Sequence, residues 1–510
     1  MSQIHKFWDR LAKFLSSRGF FILIVISFVV QASWIAFSGL YPMAFDEDTH
    51  LGIIRFFASH PNPFFTHQPS SLNVFGAVVH DPSYLYHYLM SFPWQLITHL
   101  TSNFTAQVIL LRLVNVGLFA TGIAVFRLLL LKATGNKVLV NLALLLLVLT
   151  PITSQLAAQI NYDNLLLPLI ALCLLLSVDV ANKLRRGGID LSQIGWLVCL
   201  LLITPLVKYT FLTILIPISL FLLWQLIKLY RLRKTDFWQL ILKDYKQLSR
   251  LKLVVLSLAV VLSFGLFFER YGLNLIRYHT PTPSCVQVVG VGSCQSYSIY
   301  QRSIDYAQNK PDVFDKNPVF FTYRWAKHML YNLMMALNGP ASGYSVGQPL
   351  PLPYGAAILF GVVGLVLSAV FWRRLFNNSA LKLFVFVIFF YSAALWITNY
   401  SEYFNTGRRV AIQGRYLVPL LPLFNVIFLL AFVKLLSHWP KLKISLATAL
   451  VLCFLAGGGA ATFILHSDAT WYWPGAAASR ANQDARQVIR HFVPGWGADY
   501  KPYWQSSFQF

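Results

Sequence analysis

Charged side chains are scarce in this chain. Only 12% of its 510 residues are Asp, Glu, Lys or Arg, while 57% are hydrophobic and mean hydropathy is +0.59. That balance excludes a soluble globule of this length and leaves a polytopic membrane protein. Acids are rarer than bases, 18 against 41, and the net charge of +23 would point to nucleic acid in a soluble chain. Here much of the excess lies in short stretches between apolar runs, the positive-inside pattern, so no nucleic-acid partner is needed. Five cysteines are too few for a disulfide scaffold, and no Cys/His set has zinc spacing. A Walker A sequence is absent, which argues against ATP as an energy source. No internal repeat is long enough to suggest the inverted halves common in transporters.

What is present is a series of apolar runs near the roughly 20 residues needed to cross a bilayer. The first, 20–40, follows Lys6, Arg10, Lys13 and Arg18 and lacks a small-residue cleavage site, so it reads as a retained anchor. Further crossings are expected at 106–131, 138–150, 164–180, 191–206, 210–229, 252–268, 353–372, 381–398, 416–433 and 444–465. The expectation is therefore an all-α polytopic protein with about eleven crossings, N-terminus cytoplasmic and C-terminus outside. Segment 83–100 is short, rich in Tyr and His and broken by Pro93, so it is read as an amphipathic helix in the outer interface. If it crossed, every later basic loop would face outward.

This topology divides the chain into a cytoplasmic N-terminus (1–19), a first transmembrane module (20–270) with its outer loop 41–105, a large extracytoplasmic loop (271–352), a second module (353–465) and an extracytoplasmic tail (466–510). A multi-pass protein of the cell (inner) membrane is expected, with its working surface outside. Cys285 and Cys294 both fall in the large loop, close enough to pair on the oxidising side; two free thiols are the alternative. Cys173, Cys199 and Cys453 lie within crossings and read as small buried residues.

Three polar patches stand out at the outer ends of crossings, where ionisable groups are expensive. The first, Ala44-Phe45-Asp46-Glu47-Asp48-Thr49-His50, concentrates three carboxylates; on a helix starting near Asp46, His50 shares the face of Asp46. These acids would alternatively cap that helix. The second, Gln159-Ile160-Asn161-Tyr162-Asp163-Asn164, faces the same surface, with Asp163 as a cap being the simpler reading; Lys208, isolated on that side, either serves the site or snorkels. The third places Arg408, Arg409 and Arg415 outside, against the charge rule, beside Gln413, Gly414 and Tyr416. Arginine's fork matches phosphate oxygens, although lipid headgroups or Glu402 would also satisfy these charges.

The combination of Phe45-Asp46-Glu47-Asp48-Thr49-His50, Gln159-Ile160-Asn161-Tyr162-Asp163 and Gln413-Gly414-Arg415-Tyr416-Leu417-Val418-Pro419-Leu420-Leu421-Pro422, in this order, resembles the GT-C superfamily of membrane glycosyltransferases. It is most similar to bacterial members with Asp-Glu-x-x-His and Gln-Gly-Arg-Tyr elements. The resemblance implies sugar transfer from a polyprenyl-phosphate donor at the outer face, with inversion, and membrane lipid, that donor and an acceptor as partners. Asp46 would be the general base and Glu47 the second choice. His50, Asn161, Asp163, Lys208, Arg409, Gln413, Arg415 and Tyr416 would bind substrate, with Arg415, helped by Lys208 or Arg409, facing the departing phosphate. Metal use is left open: Asp46 and Asp163 are the oxygen donors that would help hold Mg or Mn. The loop 271–352 and the tail have no counterpart in the resemblance. A transporter or lipid flippase, or a non-catalytic envelope-assembly protein, are the competing classes.

Overall fold

The computed structural model describes residues 10–311, 313–338 and 345–493. Lys6, part of the large loop and the end of the tail (494–510) lie outside the described residues. Helix α1 (Arg18–Ser38) leads into a first loop that carries α2 (Glu47–Ser59) and α3 (Leu85–Leu100). Next come α4 (Phe104–Thr134), α5 (Lys137–Leu149) and α6 (Pro151–Ala157). After these, α7 (Asp163–Arg185), α8 (Leu191–Val207) and α9 (Leu212–Leu232) run back and forth. A short α10 (Phe237–Gln247) precedes α11 (Arg250–Phe267), which continues through a π turn. The large loop holds α12 (Cys285–Cys294), α13 (Ser298–Gln308) and α14 (Pro318–Met334). The second module contains α15 (Pro351–Val370), α16 (Ser379–Thr406), α17 (Leu421–Leu435), α18 (Pro440–Leu455) and α19 (Ala460–His466), and α20 (Ala476–Phe492) follows. Among the described residues, the strands form one small antiparallel pair, Ala336–Asn338 with Ser345–Gly347.

Local sequence explains where several of these helices begin and end. The side chains of Ser17, Asn103, Asp190 and Asn378 accept backbone N–H groups at the heads of α1, α4, α8 and α16. Left-handed glycines, Gly135 and Gly407, close α4 and α16. Between α5 and α6 the axis bends by 72°. Pro151 has no N–H to give α5 and pushes Thr150 into extended backbone, so the helix cannot run on.

Nine helical segments among the described residues are long and apolar enough to cross a bilayer, ten if the bent α5–α6 pair is one span. Helix α8, at 17 residues, is shorter than that standard, and the expected crossing at 138–150 is only the first limb of the bent pair. Helix α3 runs on through Pro93, so the break expected there does not occur, and at 16 residues it is not among the spans. The protein is thus an all-α, multi-pass membrane protein. Helix α7 is its most enclosed span, with 67% of its apolar window buried, whereas α11 runs along the perimeter with 6% buried. That difference sets the site, because α7 starts at Asp163 and so delivers a carboxylate to the middle of one end of the bundle.

Hydrogen bonds between helix ends sort the connections into two groups. Glu47 accepts from the Ile160 amide, Lys208 reaches Asp163, Arg270 donates to the Val79 and Pro63 carbonyls, and Arg415 reaches Asp46. The first loop, the α6–α7 and α8–α9 turns, the start of the large loop and the stretch before α17 therefore share one end. At the other, Asn378 donates to Ala133, Asp244 accepts from Leu191, and Arg233 packs beside Gly187. The ends are about 33 Å apart along α7, taking 1.5 Å per residue. Lys132, Lys137, Lys183, Arg185 and Arg374 all lie toward the second end.

Candidate functional site

The first patch enters α2 through two consecutive left-handed residues, Phe45 (φ 67°) and Asp46 (φ 65°). Neither is glycine, so each costs roughly 1–2 kcal/mol that surrounding contacts must offset. Those contacts are visible. The Phe45 carbonyl accepts from Asn161 Nδ2 (3.1 Å) and Arg415 Nη1 (3.3 Å), and the Arg415 guanidinium lies 4.6 Å from the Phe45 ring. The turn keeps the Asp46 side chain off the helix N-terminus, where it makes no capping bond. Instead Asp46 Oδ2 meets Arg415 Nη2 at 3.4 Å, with 40% of the side chain exposed.

Glu47, the next carboxylate, is in the opposite situation. It is fully buried and gripped by Arg112 of α4, Nε to Oε1 at 2.8 Å and Nη2 to Oε2 at 2.7 Å. Its oxygens also accept from the Met43 amide (2.7 Å) and the Ile160 amide (3.1 Å). All of this makes Glu47 an anchor that ties the first loop to α4 and to the second patch, with no lone pair left over for proton transfer.

The second patch is organised by Asn161, whose side chain caps α7 by accepting the Asp163 amide at 2.9 Å while donating to Phe45. Asp163 then pairs with Lys208 at 2.6 Å, both almost completely buried. Lys208 Nζ lies 4.4 Å from the Tyr162 ring and 5.1 Å from the Tyr416 ring, so aromatic faces flank its charge. Tyr416 also covers Arg415, at 5.3 Å. Behind these groups Asn115 of α4 is a buried hub: its Oδ1 accepts from Tyr86 (2.8 Å) and Asn164 (3.1 Å).

The third patch reaches this cluster because a short 3-10 helix, Gly414–Leu420, presses directly on α14. A Cβ at Gly414 would come within 2.6 Å of both the Leu333 nitrogen and the Met329 carbonyl oxygen, which is why a glycine stands there. Asp46, Asn161, Asp163, Lys208, Arg415 and Tyr416 thus meet in one cluster. Buried polar atoms in or beside it without a protein partner include Asp163 Oδ2, Arg415 Nε and Gln413 Oε1. Arg409 does not join. It sits half-buried with Arg324, His328 and Tyr403 as its electrostatic neighbours.

His50 lies on the inner side, edge-on to Tyr162 at 4.5 Å, with Nδ1 2.8 Å from His87 Nε2. Burial, then the charges of His87, Arg415 and Lys208, hold His50 well below the ordinary histidine range. Burial likewise brings His87 down to about 4, and its bond to the Ser83 backbone opposes that fall only in part. In the neutral pair one of these two facing ring nitrogens donates and the other accepts.

The large loop closes over the rim. Cys285 and Cys294 are joined, and the turn after them brings Tyr297 against Gly76 of the first loop, a glycine held at φ 84°. Burial pushes the Tyr297 hydroxyl up to about 12, reinforced by the carboxylates of Asp81 and Asp46.

Among the described residues no group of three or more His, Cys, Asp or Glu side chains is placed to hold a metal ion. Asp46 and Asp163 each face a cation of the protein, so the donor set does not fit a carboxylate cage. The sequence reading did not single out Arg112, Asn115, His87 or Tyr297. For Arg112 a signal existed: an arginine in the middle of the apolar run 106–131 must be paired. No protein-family model matches this chain, and no curated protein matches it.

Proposed function

We propose that this chain is a glycosyltransferase of the GT-C type, moving a sugar from a polyprenyl-phosphate donor to an acceptor hydroxyl at the non-cytoplasmic membrane face. Asp46 takes the acceptor proton, the acceptor oxygen attacks the anomeric carbon, and the bond from that carbon to the phosphate oxygen breaks with inversion. The phosphate leaves with the lipid, and the charges of Arg415 and Lys208 stabilise it. Glu47 takes no part in proton transfer. In this reading the bent α5–α6 pair and α8 count as crossings, which makes eleven, and the basic end of the bundle faces the cytoplasm.

One observation carries the reading: Asp46 and Arg415 touch across the first and third patches while Asp163 and Lys208 join the second, and buried polar atoms there lack partners. Asp46 is the exposed carboxylate of that cluster, the one an acceptor arriving from water would meet first. The test uses full-length protein in vesicles supplied with a polyprenyl-phosphate sugar, with released polyprenyl phosphate as readout. Asp46→Asn is expected to lower turnover by about 10²–10⁴-fold, the range for loss of a general base. Full turnover in that variant would refute the assignment.

A further inference from the structure

Helix α10 lies at the end of the bundle away from the cluster, between two spans, α9 and α11. At 100° per residue its eleven side chains fall into three sectors rather than two. One sector faces the bundle: Phe237 is buried against Tyr230, Leu240 and Ile241 pack on the core, and Asp244 Oδ2 accepts the Leu191 amide at 2.8 Å. A second sector, Trp238, Leu242 and Tyr245, is apolar and exposed by 66%, 55% and 49%. The third, Gln239, Lys243, Lys246 and Gln247, is polar and exposed.

A helix in water has no use for the second sector, and one inside hydrocarbon none for the third. The arrangement fits a helix lying along a bilayer boundary, apolar edge toward acyl chains and lysines at headgroup level. Arg231, Arg233 and Lys234 precede the helix and Arg250 and Lys252 follow it, against one flanking acid, Asp236, so the local charge is net positive. Asp244, the acid within the helix, is already engaged by the Leu191 amide.

We infer that α10 and its flanks form a binding surface for anionic phospholipid, with Lys243 and Lys246 on the headgroup phosphate and Trp238, Leu242 and Tyr245 against the acyl chains. The surface is independent of the sugar-transfer reading, and it holds whichever way the chain faces. The test is native mass spectrometry of the full-length protein released from mixed micelles containing phosphatidylglycerol and phosphatidylcholine. Wild type is expected to retain phosphatidylglycerol preferentially. Lys243→Gln with Lys246→Gln should lose that preference by about fivefold per lysine, while the Lys→Arg pair keeps it. Equal retention of the two lipids by wild type, an undiminished preference in the Gln pair, or a second copy of the chain on this face without lipid preference would overturn the inference.

Discussion

At the scale of single residues, two neighbouring carboxylates have been given opposite tasks by their surroundings. Glu47 is satisfied four times over, and its partner Arg112 also donates to the Ala36 and Gly39 carbonyls. Glu47→Gln would leave the Arg112 charge buried without its counter-ion. We predict a loss of about 3–5 kcal/mol, read as a fall in thermal unfolding temperature in detergent; an unchanged transition would contradict the anchoring role. His87 gives a pH signature. Its ordinary value of 6.5 falls to about 4 in the fold, so the unfolded chain binds the proton first. Stability should be fully present above pH 6.5 and lost as pH falls toward 4, by roughly 3 kcal/mol in total. His87→Phe should reduce the slope of that part of the stability curve, leaving the share due to His50, measured by unfolding at a series of pH values. The sequence could mark the acid-rich patch but could not divide its labour. Which acid faces solvent depends on the left-handed turn at Phe45 and Asp46, and on an arginine contributed by a distant helix.

At the scale of elements, the cluster depends on how closely the stretch before α17 approaches α14. Gly414→Ala places a methyl group against backbone atoms that cannot swing aside. The expected cost is about 1–3 kcal/mol of stability, together with reduced activity as Arg415 is pushed away from Asp46. A variant as stable and active as wild type would show that the close approach is dispensable. Periodicity and run length made most spans legible, because a long apolar run has few alternatives to a helix. They were least clear at α5–α6, where 138–150 is short for a crossing unless the run continues toward Gln155. A proline breaks the axis there, and the second limb, all buried, carries polar Thr153, Ser154 and Gln155 that hydropathy discounts. Tyr297 was illegible for another reason: its position against Gly76 is set by packing between two loops, which leaves no periodic trace.

At the scale of the whole molecule, two ends of one bundle differ in charge and content. The second end collects lysines and arginines in short turns; the first carries long loops, the polar cluster and the joined cysteines. In the proposed reading, the positive-inside rule puts the first end outside. His67 lies exposed in the first loop and Arg186 exposed in the α7–α8 turn. In intact cells a membrane-impermeant maleimide should label His67→Cys and leave Arg186→Cys unlabelled until the membrane is opened. The reverse pattern would invert the topology and move the cluster to the cytoplasmic face. Charge placement along the sequence supplies an expected order of the loops, because it needs no contacts. The meeting of the three patches was readable only as an expectation of the resemblance, since residues so far apart in the chain share no local pattern.

The central claim is that these patches make one pocket for a lipid-linked phosphate sugar. Its most direct test is equilibrium binding of a non-reactive phosphonate analogue of a polyprenyl-phosphate sugar to full-length protein in nanodiscs. Arg415→Ala should weaken binding at least about tenfold, the scale of one lost charge-assisted hydrogen bond, while Asp46→Asn binds as well as wild type. An affinity untouched by Arg415→Ala would contradict the account.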